Sequence, residues 1–324
     1  MGKYNFLYLS EADICSLNIQ WPEIFHCMEL ALSEHGNKTV ENPPKPGVHR
    51  YSDSFMHAMP AYLKTMNAIG VKWVAGYPSN REKGIPVTTG LQIINDADTG
   101  LPLAVMDATW STMMRTAAVT CISALRCASA DARILGIIGA GVQGKTNAVA
   151  LKEALPQISE VLLYDIFPEA ALHAQEQLSS QLGIPVRTAQ TPEEAARQSD
   201  ILITATQKLT QPIVRLEWLK EGVLCLPLES SRAWYNDVLF GVDKFINDDL
   251  EQARLYQRQG AFTGGIPDYY AETGEIIAGL KPGRENPLER IMVMNIGLGC
   301  EDIAFGKYIY EKAVKMGKGT RLEL

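Results

Sequence analysis

Apolar positions fall into two kinds of pattern along the chain, and the change between them divides it. Near the start, Ser10-x-x-Asp13 has the form of a capping box, and Pro22 suits the first turn of a helix that carries Ile24, Phe25, Met28 and Leu32 and stops near Gly36. Residues 39–66 are rich in Pro, with one Gly. A short strand is expected around Val71-Lys72-Trp73-Val74, and residues 87–95 and 101–107 read as a hairpin joined by Asp96-Ala97-Asp98-Thr99-Gly100. The first ~110 residues therefore predict an α+β unit with an antiparallel sheet. A long helical pattern spans about 110–129, after which continuous apolar runs take over: Ile134-Leu135-Gly136-Ile137-Ile138, then 161–164, a strand near Val186, Ile201-Leu202-Ile203-Thr204, 223–226 and 243–246. Helices separate the earlier runs, one opened by Pro168 and stopped by Gly183, another opened by Thr191-Pro192-Glu193-Glu194 as a capping box. Such alternation predicts a doubly wound parallel sheet with helices on both faces. An amphipathic helix over about 299–316, carrying Ile303, Ile309, Tyr310 and Ala313, closes the chain.

Composition narrows the class. At 324 residues, with 46% hydrophobic and 21% charged, the chain is ordinary globular protein of about two domains. A net charge of −7 argues against nucleic acid as a partner. No apolar run reaches the ~18 residues of a membrane span, and the first residues lack the basic and apolar regions of a secretory signal, so a soluble, cytoplasmic protein is expected. Six scattered cysteines without a C-x-x-C pair read as reduced thiols, and five histidines without a ligand spacing predict no bound metal.

The most specific local signal is Gly139-Ala140-Gly141-Val142-Gln143-Gly144. This G-x-G-x-x-G follows a strand, opens a helix and has Asp165 at the end of the next strand, about 20 residues on, as a dinucleotide fingerprint requires. Gly139 and Gly141 let main-chain amides approach a pyrophosphate at a helix N-terminus, and Gly144 lets the helix pack on the sheet. Asp165 can accept hydrogen bonds from the adenosine ribose and would repel a 2′-phosphate, and Ile166-Phe167 offers no arginine. NAD is therefore expected over NADP.

With that loop placed, Met59-Pro60-Ala61-Tyr62, Gly70-Val71-Lys72, Met114-Arg115-Thr116-Ala117-Ala118, Gly274-Glu275-Ile276-Ile277-Ala278-Gly279, Pro282-Gly283-Arg284 and Gly297-Leu298-Gly299-Cys300-Glu301-Asp302 follow in order. Together they resemble the ornithine cyclodeaminase/mu-crystallin family over nearly the full chain. The resemblance implies an α/β protein with a substrate-binding and dimerisation domain over residues 1–118, an NAD-binding Rossmann domain over 119–297, and a C-terminal helix over 298–324 returning to the first domain, usually as a homodimer with its catalytic cleft between the domains. It also implies hydride exchange between nicotinamide C4 and the α-carbon of an amino or imino acid. The 317–324 tail and the 248–252 stretch look most like the branch that acts on N-substituted amino acids.

Residue roles follow from the same resemblance. Arg50, Lys72 and Arg115 match the family's carboxylate-binding positions. Lys72 stands in an otherwise apolar strand, where an unpaired ammonium is costly; taken singly, each cation also suits a structural ion pair or a solvated side chain. Glu229, in Pro227-Leu228-Glu229, occupies the place of a G-x-D catalytic acid, as a proton carrier or as a loop carboxylate. His57 stands where an ornithine-type site carries Glu, which suits a neutral or second-carboxylate substrate better than a cationic one, unless it is a surface histidine. Thr204-Ala205-Thr206 matches the passage past the nicotinamide half, and Ile296-Gly297 the turn toward the carboxamide, or merely the start of a helix. An imine reductase or N-substituted amino acid dehydrogenase is the leading expectation, with Lys72 or Glu229 relaying the proton. The alternatives are an ornithine- or lysine-type cyclodeaminase with bound NAD and a non-catalytic small-molecule binder.

Overall fold

The computed structural model describes residues 4–51, 53–206 and 209–324. The chain forms two compact units, Met1–Thr116 with Gly297–Leu324, and Ala117–Ile296. The first division falls inside one continuous helix, Thr109–Cys127, so no Pro, Gly or Ser run marks it.

The first unit is built on an eight-stranded sheet, in the order Thr320–Glu323, Asn5–Leu9, Pro102–Asp107, Thr88–Asn95, Ala68–Gly76, Phe55–Leu63, Val40–Glu41, with Gly47–Val48 also on Phe55–Leu63. One sequence expectation needs correction. The sheet is mixed, because Asn5–Leu9 pairs parallel with Pro102–Asp107. The Pro-rich stretch 39–66 contains the nine-residue strand Phe55–Leu63. Pro60 is tolerated there because Val40–Glu41 and Gly47–Val48 pair with either end of that strand and leave the stretch around Pro60 without a ladder neighbour on that edge. The hairpin of Thr88–Asn95 and Pro102–Asp107 forms as its turn residues predict.

One face of this sheet carries the Gly299–Met316 helix, with Trp21–Gly36 beside it. Ile303, Ala304, Phe305, Ile309 and Ala313 are wholly buried, each large side chain contributing about 1.5–3 kcal/mol. Gly306 sets how close the helix comes, since a Cβ there would lie 2.1 Å from Gln92 Nε2. The Ser10 capping box is present, with Asp13 N–H donating to Ser10 Oγ at 3.2 Å and Ser10 N–H to Asp13 Oδ2 at 3.0 Å.

The second unit is a parallel sheet in the order Val186–Thr188, Glu160–Tyr164, Ile134–Ile138, Ile201–Thr204, Leu224–Pro227, Ile291–Met294, Lys244–Asn247, Ala271–Glu272. The expected doubly wound sheet is present, enlarged by Ile291–Met294 and Ala271–Glu272. The capping box at Thr191 is only half formed. Thr191 Oγ1 accepts from Glu194 N–H at 3.1 Å, but the Glu194 carboxylate takes the N–H of Gln190, not of Thr191. The strand order reverses between Ile134–Ile138 and Ile201–Thr204, which is where open α/β sheets bind nucleotides at the strands' C-terminal ends.

Candidate active site

In the first unit, Lys72 sits mid-strand in Ala68–Gly76, with Met59 and Gln92 opposite it in register. Alternation turns these residues toward the Gly299–Met316 helix, and Lys72 is 1% exposed. The helix answers with two acids in its first turn. Asp302 Oδ1 accepts from Lys72 Nζ at 2.6 Å and from Arg115 Nε at 2.8 Å, while Glu301 Oε2 accepts from Arg115 Nη1 at 2.6 Å. Thr112 Oγ1 lies 3.3 Å from Lys72 Nζ. Gly297 has φ +92°, and a Cβ there would stand 3.0 Å from Arg115 Nη1, so glycine makes room for the guanidinium.

A third cation completes the cluster. Lys45 is buried and donates to the Gly297 carbonyl at 3.0 Å. Sequence reading missed it and chose Arg50 instead. Gly47–Val48 pairs with Met56–His57 and turns the chain away, so Arg50 is exposed, its Nε donating to Tyr51 Oη at 3.0 Å. In the sequence, Glu301 and Asp302 stand out only as part of Gly297-Leu298-Gly299-Cys300-Glu301-Asp302. The signal that finds them is the one that marks Lys72: charged residues flanked by Cys300, Ile303, Ala304 and Phe305, all buried.

The electrostatics follow from burial. Lys72 is drawn down to about 7, chiefly by burial, with Arg115 and Lys45 pushing the same way and Asp302 opposing. Burial raises the Glu301 carboxyl against the pull of Arg115. His57 is buried, its ring stacked on Phe55 at 4.4 Å, and burial followed by the charges of Lys45, His49 and Lys72 holds it down at about 3. It is therefore a neutral imidazole at neutral pH.

In the second unit, the glycine loop has the form that a nucleotide diphosphate needs. Gly139 has φ +107°, and a Cβ there would meet the Ala205 carbonyl at 2.5 Å. A Cβ on Gly144 would lie 2.1 Å from the Gly139 carbonyl. Gly141, the N-cap of Val142–Ala154, offers no capping side chain and has open space where its Cβ would be. The amides of Gly141, Val142 and Gln143 thus begin a helix whose first donors have no side-chain acceptor among the described residues. Asp165 accepts from Ala140 N–H at 2.8 Å through Oδ2 and from Phe167 N–H at 3.0 Å through Oδ1, which fixes its carboxylate beside the loop. Thr206 Oγ1 is buried and has no hydrogen-bond partner among the described residues. These residues fit a bound dinucleotide.

Glu229 lies just beyond the Leu224–Pro227 strand. Its Oε1 accepts from Thr204 Oγ1 at 2.6 Å and its Oε2 from Thr206 N–H at 3.2 Å. Trp234 Nε1, which can only donate, gives its proton to Thr204 Oγ1 at 2.9 Å, which leaves the Thr204 hydroxyl proton available to the Glu229 carboxylate. Ser230, next in the chain, has φ +71°, a costly conformation for a non-glycine residue. Burial pushes the Glu229 carboxyl up to about 7 against these donors. Thr204 therefore spends its hydroxyl on Glu229, and Gly297 stands with Arg115 and Lys45.

Among the described residues no helix is long and apolar enough to cross a membrane. The chain is 36% identical to a nodulation efficiency protein of Rhizobium meliloti, over 97% of both sequences. It superposes on the Thermococcus litoralis Δ1-pyrroline-2-carboxylate reductase, solved with NADH and L-proline, with a TM-score of 0.86 and 34% identity over 97% of this chain and 99% of that one. An archaeal alanine dehydrogenase dimer with bound NAD gives a TM-score of 0.89 and 33% identity over 98% and 99%. The family description "ornithine cyclodeaminase/mu-crystallin family" matches residues 9–317, and the chain belongs to that family.

Proposed function

We propose that the protein is an NAD-dependent oxidoreductase that moves a hydride between the nicotinamide ring and the α-carbon of a small imino or amino acid. The observation that carries this reading is one chain holding both a nucleotide-binding glycine loop and a buried cluster of Lys45, Lys72 and Arg115. Three cations gathered around Asp302 and Glu301 suit a substrate carboxylate, which a guanidinium binds with fixed geometry. Gly139 through Gln143 would hold the diphosphate and Asp165 the adenosine ribose, while Thr206 and Ile296 lie at the ends of the strands expected to face the nicotinamide half. NADH, when bound, supplies or accepts the hydride. The chain's own part is to place Cα and to manage the proton. Arg115 and Lys45 hold the carboxylate, Lys72 gives the substrate nitrogen its proton in reduction and takes it back in oxidation, and Glu229 serves as a second proton carrier. His57, neutral and set among cations, offers no counter-charge to a side-chain amine, which disfavours ornithine or lysine as substrate.

The test is NADH oxidation with a panel of cyclic imines such as Δ1-pyrroline-2-carboxylate and of 2-oxo acids with amines. Turnover of at least one member is expected. Tight NADH binding with no turnover across the panel would favour a binder, and conversion of L-ornithine to proline and ammonia without net NADH would establish a cyclodeaminase. Asp165→Ala is expected to cut the preference for NADH over NADPH about tenfold or more, through loss of charge and hydrogen bonds worth about 1.5–3 kcal/mol; an unchanged ratio would assign ribose reading elsewhere.

A homodimer fits the first unit's sheet. Its face opposite the Gly299–Met316 helix is also apolar: Trp73 and Leu91, paired in register, are 42% and 49% exposed, and Tyr8 is 39% exposed. Exposed apolar side chains gathered on one sheet face suit a partner, and a second copy of this sheet supplies one of the same chemistry. The double variant Trp73→Glu, Leu91→Glu is expected to sediment as a monomer where the parent sediments as a dimer; a monomeric parent would contradict the assignment.

A further inference from the structure

Asp302 is spent in an unusual way. Oδ1 receives both Lys72 Nζ and Arg115 Nε, while Oδ2 is buried with no hydrogen-bond partner among the described residues. For stability this is a poor arrangement, since a buried acceptor without a donor is costly and buried ion pairs contribute little net. As a means of placing two cations it is effective, because both nitrogens are referred to one atom. That atom is itself fixed. Asp302 lies in the first turn of the 18-residue Gly299–Met316 helix, where a negative charge is favoured. Its main-chain carbonyl accepts from the side-chain amide of Gln92, the residue opposite Lys72 in register, and Gly306 seats the helix on that same side chain.

We propose that Asp302 is a positioning residue of the reaction: through one oxygen it holds the Lys72 ammonium at a set place beside Arg115 and keeps it protonated for transfer to the substrate nitrogen. This rests on the oxidoreductase reading above. The titratable groups around Lys72 are Lys45 from the loop before Gly47–Val48, the neutral His57 from the neighbouring strand, Arg115 from the Thr109–Cys127 helix, and Glu301 and Asp302 from the Gly299–Met316 helix. Lys45 and Arg115 drive the proton off Lys72; Asp302 holds it on through both its charge and its hydrogen bond. Glu301 meets Arg115 and so bears on the carboxylate clamp instead.

The experiment compares pH profiles of kcat for imino acid reduction. The parent enzyme is expected to lose activity as pH rises through about 7. Asp302→Asn keeps an acceptor at the position of Oδ1 but removes the charge, and is expected to move this limb about one pH unit or more to the acid side. Glu301→Gln is expected to raise KM for the imino acid about tenfold with the limb in place. Asp302→Glu, which keeps the charge but displaces it by a methylene, is expected to retain the parent's limb with kcat lowered about tenfold, and it decides the matter if Asp302→Asn does not fold. An unmoved limb in Asp302→Asn, or parental kcat and limb in Asp302→Glu, would overturn the proposal. A parent that binds NADH but turns over no imino acid would overturn the functional reading instead.

Discussion

Lys72→Met is expected to lower kcat for imino acid reduction about a thousandfold while the Kd for NADH stays within about twofold. The first effect is the loss of a positioned proton donor, which contributes about 10²–10⁴ in rate. The second follows because Lys72 belongs to the first unit and the glycine loop to the second. Asp302 keeps Arg115 as a partner in this variant, so the unpaired charge that destabilises a broken buried pair is partly relieved. The pH dependence has a definite sign. Burial, then Arg115 and Lys45, draw Lys72 from its ordinary range to about 7, against the pull of Asp302. The acid form acts in reduction, so that direction slows as pH rises through about 7. The base form acts in oxidation of the amino acid, which accelerates over the same interval. Because Glu229 titrates over the same interval, Lys72→Met combined with Glu229→Gln should flatten both limbs, and a double variant that retained them would assign the titration to another group.

Glu229→Gln is the second large effect, an expected fall in kcat of about a hundredfold with KM for the imino acid little changed. Glutamine keeps an acceptor oxygen for Thr204 Oγ1, but its amide nitrogen would face the donor N–H of Thr206. The variant therefore loses the ionisable proton and sets two donors against each other. Near-neutral titration is what makes Glu229 useful, because burial raises its carboxyl to about 7 and lets it exchange a proton at cellular pH. Unchanged kcat in Glu229→Gln would return this residue to a loop carboxylate, with Lys72 carrying the proton alone.

Much of this was readable from sequence where local chemistry and global fold agree. The glycine loop declares itself because the turn at Gly139, the close packing at Gly144 and the acid at Asp165 are all local requirements of one strand–turn–helix unit. Lys72 was legible as a charge inside an apolar strand. Phe55–Leu63 was not, because the sheet is apolar on both faces and Pro60 breaks the usual strand signature. Arg50 and Lys45 are separated by Gly47 and Val48, whose pairing with Phe55–Leu63 leaves Lys45 buried and Arg50 at the surface. Asp302 and Glu301 lie some 200 residues from their partners in sequence, and no spacing rule links groups that only helix-on-sheet packing brings together.

The most direct test follows the hydride itself. NADH carrying deuterium at C4, prepared separately for each face of the ring, is supplied with the imino acid turned over fastest, and the product is read by NMR. Deuterium at the α-carbon of the amino acid from one of the two labelled forms is the expected result. Product formed with deuterium from neither form would contradict hydride transfer to Cα.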